Sequence, residues 1–150
     1  MTEYENKLGL PNIRLAGVQI WVHNRQFPES DDYWDGNWIN VTAHCGAKGA
    51  DVWISGSIIH LPEIKRWVNA CENMHATLSG EANLECMEPW LSIKLVMREL
   101  GQISMEVSIT PDLAAQEHRF EFDIDQSYLP ELVKECRRVI ARHPIRNDSK

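Results

Sequence analysis

Histidine, cysteine and carboxylate side chains carry most protein chemistry, and their spacing in this chain argues against most of what they permit. Six histidines occur, His23, His44, His60, His75, His118 and His143. None stands in an HExxH or comparable helical pattern with a carboxylate, so no metal is expected. Cys71 and His75 lie one helical turn apart, but without a second ligand pair Cys71 reads as part of an apolar stripe and His75 as its border. His44 and Cys45 fail as a pair, because neighbours on a strand point to opposite faces. The four cysteines, Cys45, Cys71, Cys86 and Cys136, stand far apart inside apolar segments. They read as small buried hydrophobes rather than as a disulfide ladder. There is no GxSxG elbow, no catalytic-cysteine pattern and no glycine-rich phosphate loop. No residue is therefore named as catalytic, no cofactor is expected, and the chain reads as a non-enzyme.

One segment does carry a chemical suggestion. Between Glu29 and Gly36, the carboxylates of Glu29, Asp31, Asp32 and Asp35 surround the aromatics Tyr33 and Trp34. That composition suits a surface that grips Arg and Lys on a partner. The alternative is a solvated turn that closes on Asp-Gly ahead of a strand at Asn37. A Ca²⁺ loop is disfavoured, since the alternating ligands and the closing Glu of an EF-hand are missing.

The elements that must position this segment follow from hydrophobic period. Apolar residues alternate from Val18 to Val22, at Ile39, Val41 and Ala43, and at Val52 and Ile54, which predicts three strands. A 3.6-residue period then places Leu61, Ile64, Trp67, Val68, Cys71 and Leu78 on one helical stripe, opened by Pro62, with Gly80 at its end or in the next loop. Alternation returns at Leu91 to Met97, at Ile103 to Ile109 beyond a hairpin turn at Gly101, and at Phe120, Phe122 and Ile124. A second helix carries Leu129, Leu132, Val133, Cys136, Val139 and Ile140 on one face, with Ser127 as its cap and Pro144 as its stop.

Asp51 to Ile64 laid over Arg119 to Leu132 matches at Leu-Pro-Glu, and the two helix stripes superpose at a constant offset of 68 residues. The expectation is an α+β fold: one antiparallel sheet of six to seven strands, two helices on one face, and an internal ββ(β)α duplication, with chance similarity as the alternative. The other sheet face would then be chemically lopsided. Its first half carries Trp21, His23, Trp38, His44 and Trp53, a second candidate surface that is either a partner-binding platform or is covered by the chain's own segments. Its second half carries Ser92, Lys94, Arg98, Ser104, Glu106, Ser108, Glu121 and Asp123, a solvated face.

At 150 residues, 43% of them hydrophobic and 25% charged, the chain suits one domain over residues 1–150, with about 1–8 and 146–150 loosely ordered. It has no apolar run of membrane-spanning length, and Met1 to Lys7 is polar, so neither a span nor a signal peptide is expected and the expected compartment is the cytoplasm. The net charge of −7 speaks against nucleic acid as a ligand, because phosphate contacts need clustered Lys and Arg, and favours a basic protein partner.

Asp32 to Val41 (DYWDGNWINV) and Phe122 to Glu131 (FDIDQSYLPE), with a following helix that ends in His-Pro-Ile-Arg, resemble the WapI-type immunity proteins of bacterial polymorphic toxin systems. The resemblance covers most of the chain, though its motifs are structural and transfer no contact residues. It implies a small cytoplasmic, non-enzymatic protein that binds and neutralises a cognate toxin domain. Two readings from other classes stand beside it. One is a small-ligand or enzymatic domain using the Trp21, Trp38 and Trp53 face with His23 and His44. The other is a structural homodimer whose tryptophan face pairs with itself, so the chain is expected as a monomer or a homodimer.

Overall fold

A computed structural model describes residues 7–148. Among these residues the alternating segments form two antiparallel sheets of four strands each, and the helical stripes form two α-helices. The first sheet runs β1 (Ile13–Leu15), β2 (Val18–Arg25), β3 (Trp38–Ala47) and β4 (Ala50–His60) in sequence order, and α1 (Leu61–Thr77) follows directly. The second sheet runs β5 (Glu81–Glu85), β6 (Leu91–Met97), β7 (Gln102–Ile109) and β8 (Arg119–Asp125), with α2 (Leu129–Arg142) after it.

The α+β class holds, whereas the single sheet of six to seven strands does not. Period-two alternation tells which side of a strand is buried but is silent on which strands are neighbours. Here α1 intervenes after β4, and β5 starts a new sheet. The two additional strands carry little periodic signal: β1 has three residues, and β5 offers only Ala82 and Leu84 to the core. Each half therefore has the order of four strands and a helix rather than three strands and a helix.

The inner faces of both sheets and the stripes of both helices share one core. Rows of apolar side chains cross each sheet in register. Ile13 faces Ile20, which faces Ala43, which faces Ile54. In the second sheet the row is Leu84, Ile93, Val107 and Phe120. Each aliphatic side chain taken fully out of water contributes about 1.5–3 kcal/mol before ordering costs. The sheets approach closely at Gly17, where a Cβ would lie 2.1 Å from the Gly46 carbonyl oxygen and 2.6 Å from the Phe122 ring. Only a residue without a side chain fits there.

The helices pack on each other, α1 also against β5 and α2 against β1. Leu61, Ile64, Trp67, Val68 and Cys71 of the expected α1 stripe are buried, while Leu78 is turned out to solvent. The helix stops at Thr77, Leu78 adopts a left-handed conformation (φ 53°), and Met74 fills the inward position instead. At α2, Ser127 is not the cap. Asp125 accepts the Ser127 amide proton at 2.8 Å and caps a short 3-10 turn, Gln126–Tyr128, that runs into the helix. The hairpin at Gly101 is present between β6 and β7. Residues 1–6 and 149–150 of the expected loose ends lie outside the described residues. No described helix is long and apolar enough to cross a membrane.

The buried carboxylate of Glu63, 2% exposed, joins the two halves. One oxygen accepts from the His60 amide at 2.7 Å in a capping box at the start of α1, and the other accepts from the Met87 amide at 2.7 Å in the β5–β6 connection. Burial raises its pKa, against the opposing pull of those two amides. An acid whose folded-state pKa is raised contributes stability below the ordinary carboxyl range and loses it as pH climbs toward the raised value. Urea unfolding between about pH 4.5 and 7.5 should therefore show a shallower decline in stability with pH for Glu63→Gln than for the parent, and parallel curves would contradict this. Glu63→Ala, which strands the buried His60 amide and takes the acceptor from the Met87 amide, should cost about 2–4 kcal/mol.

Candidate functional site

The connection between β2 and β3, residues 26–37, is long for a hairpin and yet closely held. Its ends are joined by the Gln26 amide donating to the Trp38 carbonyl at 2.9 Å. Within it, Oδ2 of Asp32 accepts from the amides of Trp34 and Asp35, both at 2.9 Å, and the Gly36 amide donates to the Asp32 carbonyl at 2.8 Å. This is the local folding habit of Asp before a turn. Gly36 is buried, and a Cβ there would meet the Ser30 carbonyl oxygen at 2.5 Å, so the chain can fold back on itself only with glycine.

Beneath the loop lies a framework that bonds its main chain. Asn37, fully buried, donates from Nδ2 to the Tyr33 carbonyl at 2.7 Å and to the Arg146 carbonyl at 2.9 Å, while its Oδ1 accepts the Arg146 amide at 2.8 Å. The Arg146 guanidinium donates to the carbonyls of Pro28 and Ser30, each at 2.7 Å. The Arg25 guanidinium donates to the Gly36 carbonyl at 2.6 Å and also to the Pro144 carbonyl. Burial, and then the nearby charge of Arg146, lower the Arg25 pKa. From the far side, Nε2 of buried His60 lies 3.1 Å from the carbonyl oxygens of both Tyr33 and Trp34, so it is the donor. The Trp34 ring stacks on the His60 ring with centroids 5.4 Å apart, and Tyr33 meets Trp34 edge-on.

The consequence is electrostatic. Both guanidinium groups spend their protons on carbonyl oxygens, and among the described residues Glu29, Asp31 and Asp35 form no ion pair with Lys or Arg. Glu29, Asp31, Asp32 and Asp35 are all exposed, Trp34 is 55% exposed and Phe27 is 46% exposed. Tyr33 is half-buried. Glu29 and Asp35 thus line one shallow concavity with Phe27, and Asp32, Tyr33 and Trp34 line another. Sequence reasoning missed the residues that hold the loop: Arg25, Asn37, His60 and Arg146. A polar residue directly after Asp-Gly, and an Arg beyond the helix-stopping Pro144, were the available signals.

The second candidate surface is divided. Trp21 is 2% exposed, its Nε1 donates to the Gly9 carbonyl at 2.9 Å, and its ring stacks on Trp53 with centroids 5.6 Å apart. Trp53 stacks in turn on His44 at 4.3 Å, and His44 contacts Asp51 at 2.6 Å and Gln19 at 3.2 Å. Trp38 sits at the opposite end of β3, against His60 at 4.9 Å. Between the two ends lies a polar row, in which His23 meets Thr42 at 2.8 Å and Thr42 meets Ser55 at 3.0 Å. The three tryptophans are therefore spread along the sheet, since the register sets Trp21 opposite Thr42 and Trp53 opposite His44, four and six residues along β3 from Trp38. Among the described residues no group of three or more His, Cys, Asp or Glu is arranged to hold a metal ion.

A family model described as "Immunity protein WapI-like family" matches residues 10–144 of the chain. No curated protein and no solved structure matches.

The framework makes a direct demand on Asn37. Asn37→Ala removes four hydrogen bonds, the longest from the Arg25 guanidinium at 3.4 Å, from a buried position and should cost about 2–4 kcal/mol. Amide exchange of residues 26–36 should accelerate with it while the rates in β6 and β7 stay unchanged. A cost under about 0.5 kcal/mol with loop exchange unaltered would contradict the account.

Proposed function

The chain belongs to the WapI-like immunity protein family, and from that premise we propose that it binds and neutralises a cognate toxin domain through the acidic aromatic loop, residues 26–37. The observation that supports this reading most is that the loop's exposed carboxylates form no ion pair. Glu29, Asp31 and Asp35 stand unpaired on a rigid support beside exposed Trp34 and Phe27. Carboxylates set around a large aromatic match a partner that presents Arg or Lys, since they supply charge-assisted hydrogen bonds while the indole supplies buried area and a cation–π face. A net charge of −7 adds long-range attraction toward a basic domain. Neutralisation requires no chemistry of the inhibitor, only occlusion of the partner's working surface. The action belongs in the cytoplasm of the producing cell, where such a toxin would otherwise strike.

The loop's support lets charge be altered without unfolding. Asp32 accepts two main-chain amides and is best left alone. Glu29, Asp31 and Asp35 project outward, so Glu29→Lys/Asp31→Lys/Asp35→Lys should leave unfolding stability within about 1 kcal/mol of the parent. Co-expressed with the toxin domain encoded beside its gene, the parent chain should restore growth and form an isolable complex. The triple variant should bind about a hundredfold more weakly and restore growth poorly. A parent chain that neither rescues nor binds at micromolar concentration would overturn the reading, and so would a triple variant indistinguishable from the parent.

A further inference from the structure

A second candidate surface, of mixed charge, lies on α2. A groove of about 310 Å³ runs between the segment Leu10–Asn12 and the helix, with Arg138 and Arg142 on its helical wall. The two arginines are one helical turn apart and so present their guanidinium groups side by side. Neighbouring cations are already occupied. Glu135 holds Arg14, by an amide hydrogen bond at 3.0 Å and a guanidinium contact at 3.8 Å, and Arg137 reaches across to Glu72 of α1. Arg138 and Arg142 are exposed and, among the described residues, form no ion pair. In a chain whose 22 acids outnumber its 15 Lys and Arg, two adjacent cations that form no ion pair, although Glu131 and Glu135 line the same groove, are unexpected. The groove also has an apolar rim, for Leu10 is 72% exposed.

We propose that this groove is a docking site for an acidic polypeptide segment that carries an apolar side chain. The paired guanidinium groups of Arg138 and Arg142 take its carboxylates bidentately, and Leu10 takes its aliphatic residue. A polyphosphate backbone fits less well. Glu131 and Glu135 also line the groove, and they would repel a continuous run of phosphates, whereas a peptide can place neutral residues opposite them. The groove and the loop share no residue, so the two surfaces can act separately or grip one partner at two points. Arg142 lies two residues from Pro144, whose carbonyl binds Arg25 beneath the loop.

The test needs no toxin, which keeps its outcome separate from that of the immunity reading. Fluorescence anisotropy would follow three labelled probes against the full chain: a peptide of alternating Glu and Leu, the same peptide with Gln for Glu, and an oligothymidylate of similar length. The Glu–Leu peptide should bind at least about tenfold more tightly than the Gln–Leu peptide, and Arg138→Glu/Arg142→Glu should abolish the difference. Arg66→Glu, which reverses an exposed arginine on α1 outside the groove, should preserve it. Equal binding of the two peptides, insensitivity to Arg138→Glu/Arg142→Glu, or tighter binding of the oligothymidylate would each overturn the proposal.

Discussion

Two guanidinium groups and one carboxamide, set beneath an acidic loop, direct their hydrogen bonds to main-chain oxygens and leave the acids above them alone. Arg25, Arg146 and Asn37 together bond the carbonyls of Pro28, Ser30, Tyr33 and Gly36, so the loop is fixed by its backbone. Had the same arginines turned to Asp31 or Asp35, those carboxylates would be taken up in internal ion pairs. Bonding carbonyls holds the chain in place and leaves the carboxylates free to pair with a partner, while both guanidinium charges remain beneath them. This arrangement separates the loop's structural support from its exposed chemistry, and the proposed partner surface depends on that separation.

The two-sheet core gives this framework its rigidity. β2 and β3 carry the loop at their ends, and their buried partners fix the strand separation at its base. His60, at the junction of β4 and α1, reaches the loop with its ring while its amide is tied to Glu63. Glu63 also holds the β5–β6 connection, so the loop, the helix start and the second sheet meet within a few residues. Arg146 brings in the chain beyond α2. Packing energy from the core is thereby passed to a surface segment that has almost no apolar burial of its own.

Much of this was legible in the residue pattern, and the failures have physical causes. The six strands with clear alternation and both helix stripes emerged from period alone, since burial of one face imposes that period. The hairpin at Gly101 was legible because left-handed backbone is needed there, at φ 77°. Strand partners were not legible, because hydrogen bonding between strands leaves no mark on the alternation of either. β1 and β5 are short edge strands whose few inward residues fall below any periodic signal. The loop's composition marked the candidate surface, while Asn37, His60 and Arg146 could not be assigned, because their roles rest on contacts spanning 26 to 118 residues. The spread of the tryptophans along the sheet was not legible either. Alternation put Trp21, Trp38 and Trp53 on one side of a sheet but said nothing of the distance along it.

Amide hydrogen exchange, measured on the chain alone and in complex with the toxin domain encoded alongside it, tests the central claim most directly. In the free chain, the amides of Ser30, Trp34, Asp35 and Gly36 should exchange slowly for an exposed loop because they donate within it and the framework bonds to its carbonyls oppose opening, and in the complex residues 26–36 should gain further protection. Protection confined to other surfaces, with residues 26–36 unchanged between the two states, would contradict the assignment of this loop as the docking surface.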